Sequence, residues 1–166
     1  MDLVIVRHAI APERDATRWP DDRLRPLSPG GLARGRKAAL GLARIAPEPG
    51  LVLTSPLVRT RQTARILQRE AGWPRAQPCA ELVPDAPPRT LLARLAHSSA
   101  ERIAIVGHEP HLSAFLAQCL PGDARQGLPF RKMGAALVRF PGRAQAGRGE
   151  LIWFAPPKLL RALRKD

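Results

Sequence analysis

Apolar residues in this chain come in short clusters separated by breaks rich in Pro and Gly. Leu3-Val4-Ile5-Val6 is a continuous β-branched and apolar run. Such a run predicts a strand buried on both faces, as in a parallel sheet. It ends at Arg7-His8, and a polar, Pro-containing stretch follows from Ala11 to Pro26. Ser28-Pro29 reads as an N-cap followed by Pro at the first helical position. The helix it opens is expected to reach about Ile45, with Leu32, Ala39, Leu42 and Ala43 on one side. Pro47, Pro49 and Gly50 stop it. Leu51-Val52-Leu53 predicts a second strand, and Ser55-Pro56 repeats the cap signature before a helix ending near Glu70. That helix carries Leu57, Ala64, Leu67 and Ala71 at helical spacing.

An irregular stretch from Pro78 to Pro88 has room for a short strand near Cys79, and Leu91, Leu92 and Leu95 indicate a helix beginning near Pro88. Arg102 to Val106 is the third clear strand, followed by Gly107-His108-Glu109-Pro110 and a helix from Pro110 to about Cys119. Pro121 to Pro129 reads as a loop. Ala135–Phe140 and Glu150–Phe154 flank a Gly-containing basic segment and predict a hairpin. The tail from Pro156 to Lys165 has Leu159, Leu160 and Leu163 at helical spacing, predicting a terminal helix that packs on its own domain. Strand–helix alternation of this kind predicts an α/β fold with a mainly parallel sheet. The chain shows no internal repeat and no linker, and 166 residues suit a single domain spanning 1–166.

The polar residues sit at the strand ends. Three strands finish in Arg7-His8, in Thr54-Ser55-Pro56 with Arg59 just beyond, and in Gly107-His108. The carboxyl ends of parallel strands share one edge, which is where such sheets bind ligands. His8, Arg59 and His108 are therefore expected to meet. Helix N-termini on that edge add free N–H groups and a positive dipole end. The natural guest is a small, highly charged anion, most simply a phosphoryl group. Each residue also has a plainer reading. A His after a strand often caps or packs, Arg7 could pair with a surface carboxylate, and Arg59 has Arg61 and Arg65 beside it on what could be a solvated helix face.

Charge changes the picture less than its size implies. Lys and Arg number 27 against 14 Asp and Glu, a net charge of +13. Only Lys37, Lys132, Lys158 and Lys165 are lysines; the rest are scattered Arg, in a chain with 18 Pro and no Tyr. That pattern fits a compositional bias. It lacks the dense basic runs and interleaved aromatics of a nucleic-acid surface. No apolar run approaches the roughly 20 residues of a membrane span. The N-terminus lacks a signal-peptide pattern. Cys79 and Cys119 form neither a disulfide framework nor a zinc site, so a cytoplasmic, reduced setting is expected.

Taken together the motifs resemble the histidine phosphatase superfamily, the phosphoglycerate-mutase-like fold. Val4-Ile5-Val6-Arg7-His8-Ala9 is similar to its Arg-His-Gly signature, with Ala9 in place of the Gly. Ser55 to Ala64 is similar to its second arginine segment, and Val106 to Pro110 to its second histidine segment. Arg25-Pro26-Leu27-Ser28 before Gly30, the segment Glu81 to Asp85, and the absence of long insertions resemble the SixA-type phosphohistidine phosphatases. The resemblance covers roughly residues 1 to 140.

It implies a three-layer α/β/α sandwich and a phosphatase that needs neither metal nor cofactor. His8 would be the nucleophile that becomes a transient phosphohistidine, and Arg7, Arg59 and His108 would clamp the phosphoryl oxygens. Arginine suits that task because its planar fork is always charged. Candidates for a general acid are Glu81, Asp85 and Glu109; Glu109 has the alternative of a helix-cap partner before Pro110. SixA-type proteins work without a dedicated acid. Arg25 either reaches the substrate or pairs with Asp21 or Asp22. A short chain leaves the cleft open, favouring phosphohistidine on a protein. A small phosphate ester on the same fold and a non-catalytic polyanion-binding module are the alternatives. Oligomeric state is left open by the sequence.

Overall fold

The computed structural model describes residues 1–122 and 128–164. The middle of the expected loop at 121–129, and Lys165 at the end of the tail, lie outside the described residues. Six strands form one sheet in the order β3-β2-β4-β1-β5-β6. They are β1 (Asp2–Arg7), β2 (Leu51–Thr54), β3 (Gln77–Pro78), β4 (Arg102–Gly107), β5 (Ala135–Arg139) and β6 (Glu150–Ala155). Strands β1 to β4 run parallel, while β5 is antiparallel to both β1 and β6. The helices are α1 (Pro29–Leu42), α2 (Val58–Glu70), α3 (Pro88–Ala96), α4 (His111–Cys119) and α5 (Pro157–Ala162). Among the described residues, no helix is long and apolar enough to cross a membrane.

The continuous apolar runs are explained by the layering. Successive strand residues point to opposite faces. Leu3, Ile5, Leu53, Ile103 and Ile105 pack with Leu91 and Leu95 of α3 and with Leu112, Phe115 and Leu116 of α4. Val4, Val6, Val52, Ala104 and Val106 pack on the other side with Ala38, Ala39 and Leu42 of α1, Leu67 of α2 and Leu160 of α5. Both faces are covered, so both sets must be apolar. The result is the expected α/β/α arrangement.

Several boundaries differ from the sequence reading. Ser28 does cap α1, accepting the Gly31 N–H at 3.0 Å. The buried stripe of that helix, however, is Gly31, Gly35, Ala38, Ala39, Gly41 and Leu42, while Ala43 is exposed. Glycine is what lets α1 approach so closely. A Cβ on Gly41 would lie 1.7 Å from the Leu160 carbonyl oxygen, and one on Gly31 would lie 1.9 Å from that of Ile10. Helix α2 begins at Val58, with Leu57 rather than Ser55 at its N-cap. Its buried side includes Arg59, Thr60 and Thr63 as well as Ala64, Ile66 and Leu67. Helix α4 starts at His111, one residue after the expected Pro110.

The candidate site belongs to the carboxyl edge of the parallel strands. Arg7 pairs with Gly107 across β1 and β4, and Thr54 pairs with Val106 across β2 and β4. The ladder carries on into the junctions: His8 N–H donates to the Gly107 carbonyl and Ser55 N–H to that of Val106, each at 3.0 Å. In-register parallel strands thus finish level, and His8, Ser55 and His108 leave the sheet together.

Candidate functional site at the carboxyl edge

His8 is 6% exposed. Its Nδ1 lies 2.7 Å from the Ala9 carbonyl oxygen, which can only accept. Nδ1 therefore carries the proton and Nε2 keeps its lone pair. Burial pushes the His8 pKa down to about 3; the Ala9 hydrogen bond opposes this, and Arg59, Arg7 and Lys132 add to it. The ring is neutral throughout the physiological range. The loop behind it is also fixed, because Ala9 N–H donates to Thr63 Oγ1 at 3.0 Å and Thr63 Oγ1 donates to the Arg59 carbonyl at 2.8 Å. Ala9 fits there because Gly35 faces it: a Cβ on Gly35 would meet the Ala9 Cβ at 3.4 Å.

The His108 ring lies 5.1 Å from that of His8, centroid to centroid, at an angle of 56°. Its Nε2 is 2.9 Å from Ser55 Oγ. Burial lowers its pKa to about 2, followed by the effects of His8, Arg59, His111 and Arg7. Two arginines crowd the same imidazoles. Arg7 donates from Nη1 to the Phe130 carbonyl at 2.5 Å. Arg59, 4% exposed, donates from Nη1 to the Asp22 carbonyl at 2.9 Å and pairs through Nη2 with Asp22 Oδ2 at 3.2 Å. Burial lowers both guanidinium pKa values, with Glu109 opposing at Arg7 and Asp22 at Arg59. Arginine nevertheless stays charged in proteins. Arg7 Nε, Arg59 Nε and His108 Nδ1 are buried with no hydrogen-bond partner. Both ring nitrogens of His111 and Gln118 Oε1 are unpartnered as well, so it is the free positions together with two cations that give this edge the means to hold an anion.

Other candidates fall elsewhere. Arg25 takes the Asp22 alternative, donating from Nε to Oδ1 at 2.7 Å and from Nη1 to the Pro12 carbonyl at 2.5 Å. Asp22 is thus shared by Arg25 and Arg59. Glu109 does not cap α4; its Oε1 accepts the Phe130 N–H at 2.9 Å and its Oε2 the Ser113 hydroxyl at 2.5 Å. It is a latch on the segment whose carbonyl holds Arg7. Glu81 pairs with Arg94 at 3.4 Å and accepts from Cys79 Sγ at 3.3 Å. Its hydrogen bonds and ion pair involve neither site histidine. Asp85 forms no hydrogen bond or ion pair with Arg7, His8, Arg59 or His108. Among the described residues, no three His, Cys, Asp or Glu side chains are grouped to hold a metal ion.

Residues missing from the sequence reading are Ser55 as the partner of His108, Asp22 as the shared anchor, and Thr63 behind His8. Ser55 carried a misleading signal, since Ser-Pro looks like a helix cap. Buried Thr60 instead donates to the carbonyls of Ser55 at 2.9 Å and Leu57 at 2.7 Å.

Comparison with known proteins agrees with this geometry. Residues 3–82, which carry Arg7, His8, Ser55 and Arg59, match the family described as Histidine phosphatase superfamily (branch 1). An uncharacterized protein of Picosynechococcus sp. is 32% identical over 165 residues, covering 96% of this chain and 99% of its own. The chain belongs to the histidine phosphatase superfamily. The fold of this chain is similar to that of the protein histidine phosphatase SixA complexed with tungstate. The TM-score is 0.83 at 26% identity, over 96% of this chain and 99% of that one. It is also similar to a candidate phosphohistidine phosphatase SixA from Agrobacterium tumefaciens, with TM-score 0.76 at 26% identity over 94% and 97% of the two chains. The mixed, mostly parallel sheet is thus the phosphoglycerate-mutase-like arrangement.

Proposed function

We propose that this histidine phosphatase hydrolyses phosphohistidine on a protein through a phosphoryl-enzyme intermediate on His8, with no metal. The observation that carries the reading is the fixed tautomer of His8. Its Nδ1–H is committed to the Ala9 carbonyl. Its low pKa keeps Nε2 unprotonated at neutral pH. A neutral imidazole with one nitrogen held and the other free is poised as a nucleophile.

In the first step the Nε2 lone pair attacks phosphorus. A P–N bond to His8 forms, leaving its ring positively charged with Nδ1–H retained, and the bond to the leaving imidazole nitrogen breaks with its electron pair; a proton already on that ring, or taken from solvent, lets it depart as neutral imidazole. Arg7 and Arg59 oppose the charge spread over the equatorial oxygens. Such donors stabilise that charge without reorganising. Ser55 Oγ–H donating to His108 Nε2 would leave Nδ1–H as that ring's remaining donor. In the second step water attacks phosphorus, the P–Nε2 bond breaks, and His8 returns to its neutral form with release of phosphate.

The state of the carboxylates supports a preference for phosphohistidine. Both oxygens of Glu109 are engaged by Phe130 and Ser113. Glu81 is tied to Arg94. A leaving group that protonates readily, such as the imidazole of a phosphoramidate, suits a site without a committed acid. The similarity to SixA proteins supports the same choice, and tungstate, bound in one of them, is an oxyanion of the same general kind as phosphate.

His8→Ala is expected to abolish turnover of an aryl phosphate and of a phosphohistidine protein. A brief pulse of labelled substrate quenched in alkali should leave an acid-labile label on His8. Initial rates on a phosphohistidine protein, an aryl phosphate and a sugar phosphate should fall in that order. Faster turnover of the sugar phosphate would overturn the substrate assignment, and turnover by the His8→Ala variant would overturn the mechanism.

A further inference from the structure

A second cationic feature lies outside the site. A groove of about 480 Å³ runs between α2 and the sheet edge at β3, lined by Thr54, Arg61, Arg65, Gln68, Arg75 and Gln77 among others. No carboxylate lines it. Arg61, Arg65 and Arg75 are all exposed and, among the described residues, form no ion pair. Like charges are thus gathered in one concavity with no carboxylate among the described residues that line it. That arrangement costs self-repulsion and is relieved by an anionic partner.

Its position ties it to the catalytic edge. Thr54 ends β2 and directly precedes Ser55, the partner of His108. Arg61 stands two residues beyond Arg59 on α2, roughly 200° further round the helix. Arg59 turns inward to the site, and Arg61 turns outward to the groove. From Arg61 to Gln68 the helix rises about 10 Å, at ~1.5 Å per residue. That length accommodates about three residues of extended peptide at ~3.3 Å each.

We infer that this groove docks an acidic segment of the phosphorylated protein partner, placing Asp or Glu side chains against Arg61, Arg65 and Arg75 beside the catalytic edge. The inference rests on the protein-phosphatase reading above. The arginines are spaced along the groove: Arg61 and Arg65 stand one helical turn apart, and Arg75 comes from the segment leading into β3. A row of charges matches a row of carboxylates better than one phosphate. No aromatic side chain lines the groove, which argues against nucleic acid, whose single strands bind by base stacking as well as charge.

The test uses a triple variant, Arg61→Gln, Arg65→Gln and Arg75→Gln. Fluorescence anisotropy follows a labelled, unphosphorylated peptide of alternating Glu and Gly, with a Lys-Gly peptide and a single-stranded oligonucleotide as comparators. The full chain is expected to bind the acidic peptide, with affinity falling as salt rises, because exposed charges are screened. The triple variant should bind it about tenfold more weakly, the sum of three exposed ion pairs. In parallel, KM for a phosphohistidine peptide with Glu flanks should rise by a similar factor, while aryl-phosphate turnover stays unchanged. Unaltered peptide affinity in the variant, or tighter binding of the oligonucleotide through the same arginines, would overturn the proposal. The anisotropy decides the docking groove on its own. Failure to turn over the phosphohistidine peptide while aryl phosphate is hydrolysed would instead count against the protein-phosphohistidine reading.

Discussion

Lowering the pH from 7.5 to 5 should destabilise this protein through its two site histidines. Folded pKa values of about 3 for His8 and about 2 for His108 lie below the ordinary 6.5. As pH falls the unfolded chain takes up protons first. The contribution is therefore nil above about pH 6.5, and stability is lost progressively as pH drops toward the folded values. At pH 5 an unfolded imidazole gains 2.303RT times about 1.5, or about 2 kcal/mol, while the buried ring gains almost nothing. The pair together should cost about 4 kcal/mol over this window. The carboxylates with lowered pKa values, Asp2, Asp22 and Glu81, contribute mainly below about pH 4.5, so the window isolates the imidazoles; His111, whose pKa burial also lowers, adds to the loss in every protein compared.

The assay is urea unfolding at both pH values for the wild type, His8→Asn and His108→Asn. Comparing each protein with itself removes the effect of the substitution on absolute stability. Each variant should lose up to about 2 kcal/mol less than the wild type across the window. Removing one ring also relieves the repulsion felt by the other, which makes this an upper value. Variants that track the wild type within about 0.5 kcal/mol would refute the claim that both rings are buried as neutral groups. The same result would remove the basis for an unprotonated Nε2 on His8.

Arg59→Lys should lower kcat on an aryl phosphate by about 10²- to 10³-fold, because a point charge cannot both hold Asp22 and meet the equatorial oxygens; stopped-time phosphate release measures it. Glu109→Gln should leave kcat within about threefold, since an amide oxygen can still accept the Phe130 N–H, whereas Glu109→Ala should cost about 1–3 kcal/mol in urea by orphaning that donor. A loss of several orders of magnitude in Glu109→Gln on alkyl phosphates would instead identify Glu109 as a proton donor. Gly41→Ala should cost about 1–3 kcal/mol by forcing α5 away from α1. Gly30→Ala, whose Cβ would meet nothing within 4 Å, should be neutral or stabilising in the same melts.

Much of the fold was legible because the covering helices leave a mark on the strands. A strand packed on both sides must be apolar throughout, and Leu3 to Val6 and Ile103 to Val106 could be read from that alone. Helix faces were less legible. On α1, Ala39 and Leu42 are buried as expected, but Gly31, Gly35 and Gly41 complete that face while Leu32 is half-buried and Ala43 exposed, because close backbone approach is what the helix needs there. Strand ends in register explain why the junctions at Arg7-His8 and Gly107-His108 could be grouped before any tertiary information. A local pattern also misled at Ser55, where Ser-Pro has the look of a cap but the hydroxyl turns to a histidine 53 residues away.

The sequence by itself indicated an α/β fold with a mainly parallel sheet and the three strand ends, at Arg7-His8, Thr54-Ser55 and Gly107-His108, that share one edge. These follow from periodicity and from the topology of parallel strands, which are properties of neighbours in the chain. Only the tertiary structure decided which of the 27 basic residues do what. Arg59 is buried against Asp22, Arg25 serves the same carboxylate, and Arg61, Arg65 and Arg75 line a separate groove. The tautomer of His8 and the engagement of Glu109 were settled there too. Charge and hydrogen bonding act between groups brought together from distant parts of the chain, so their outcome depends on packing that no local window contains.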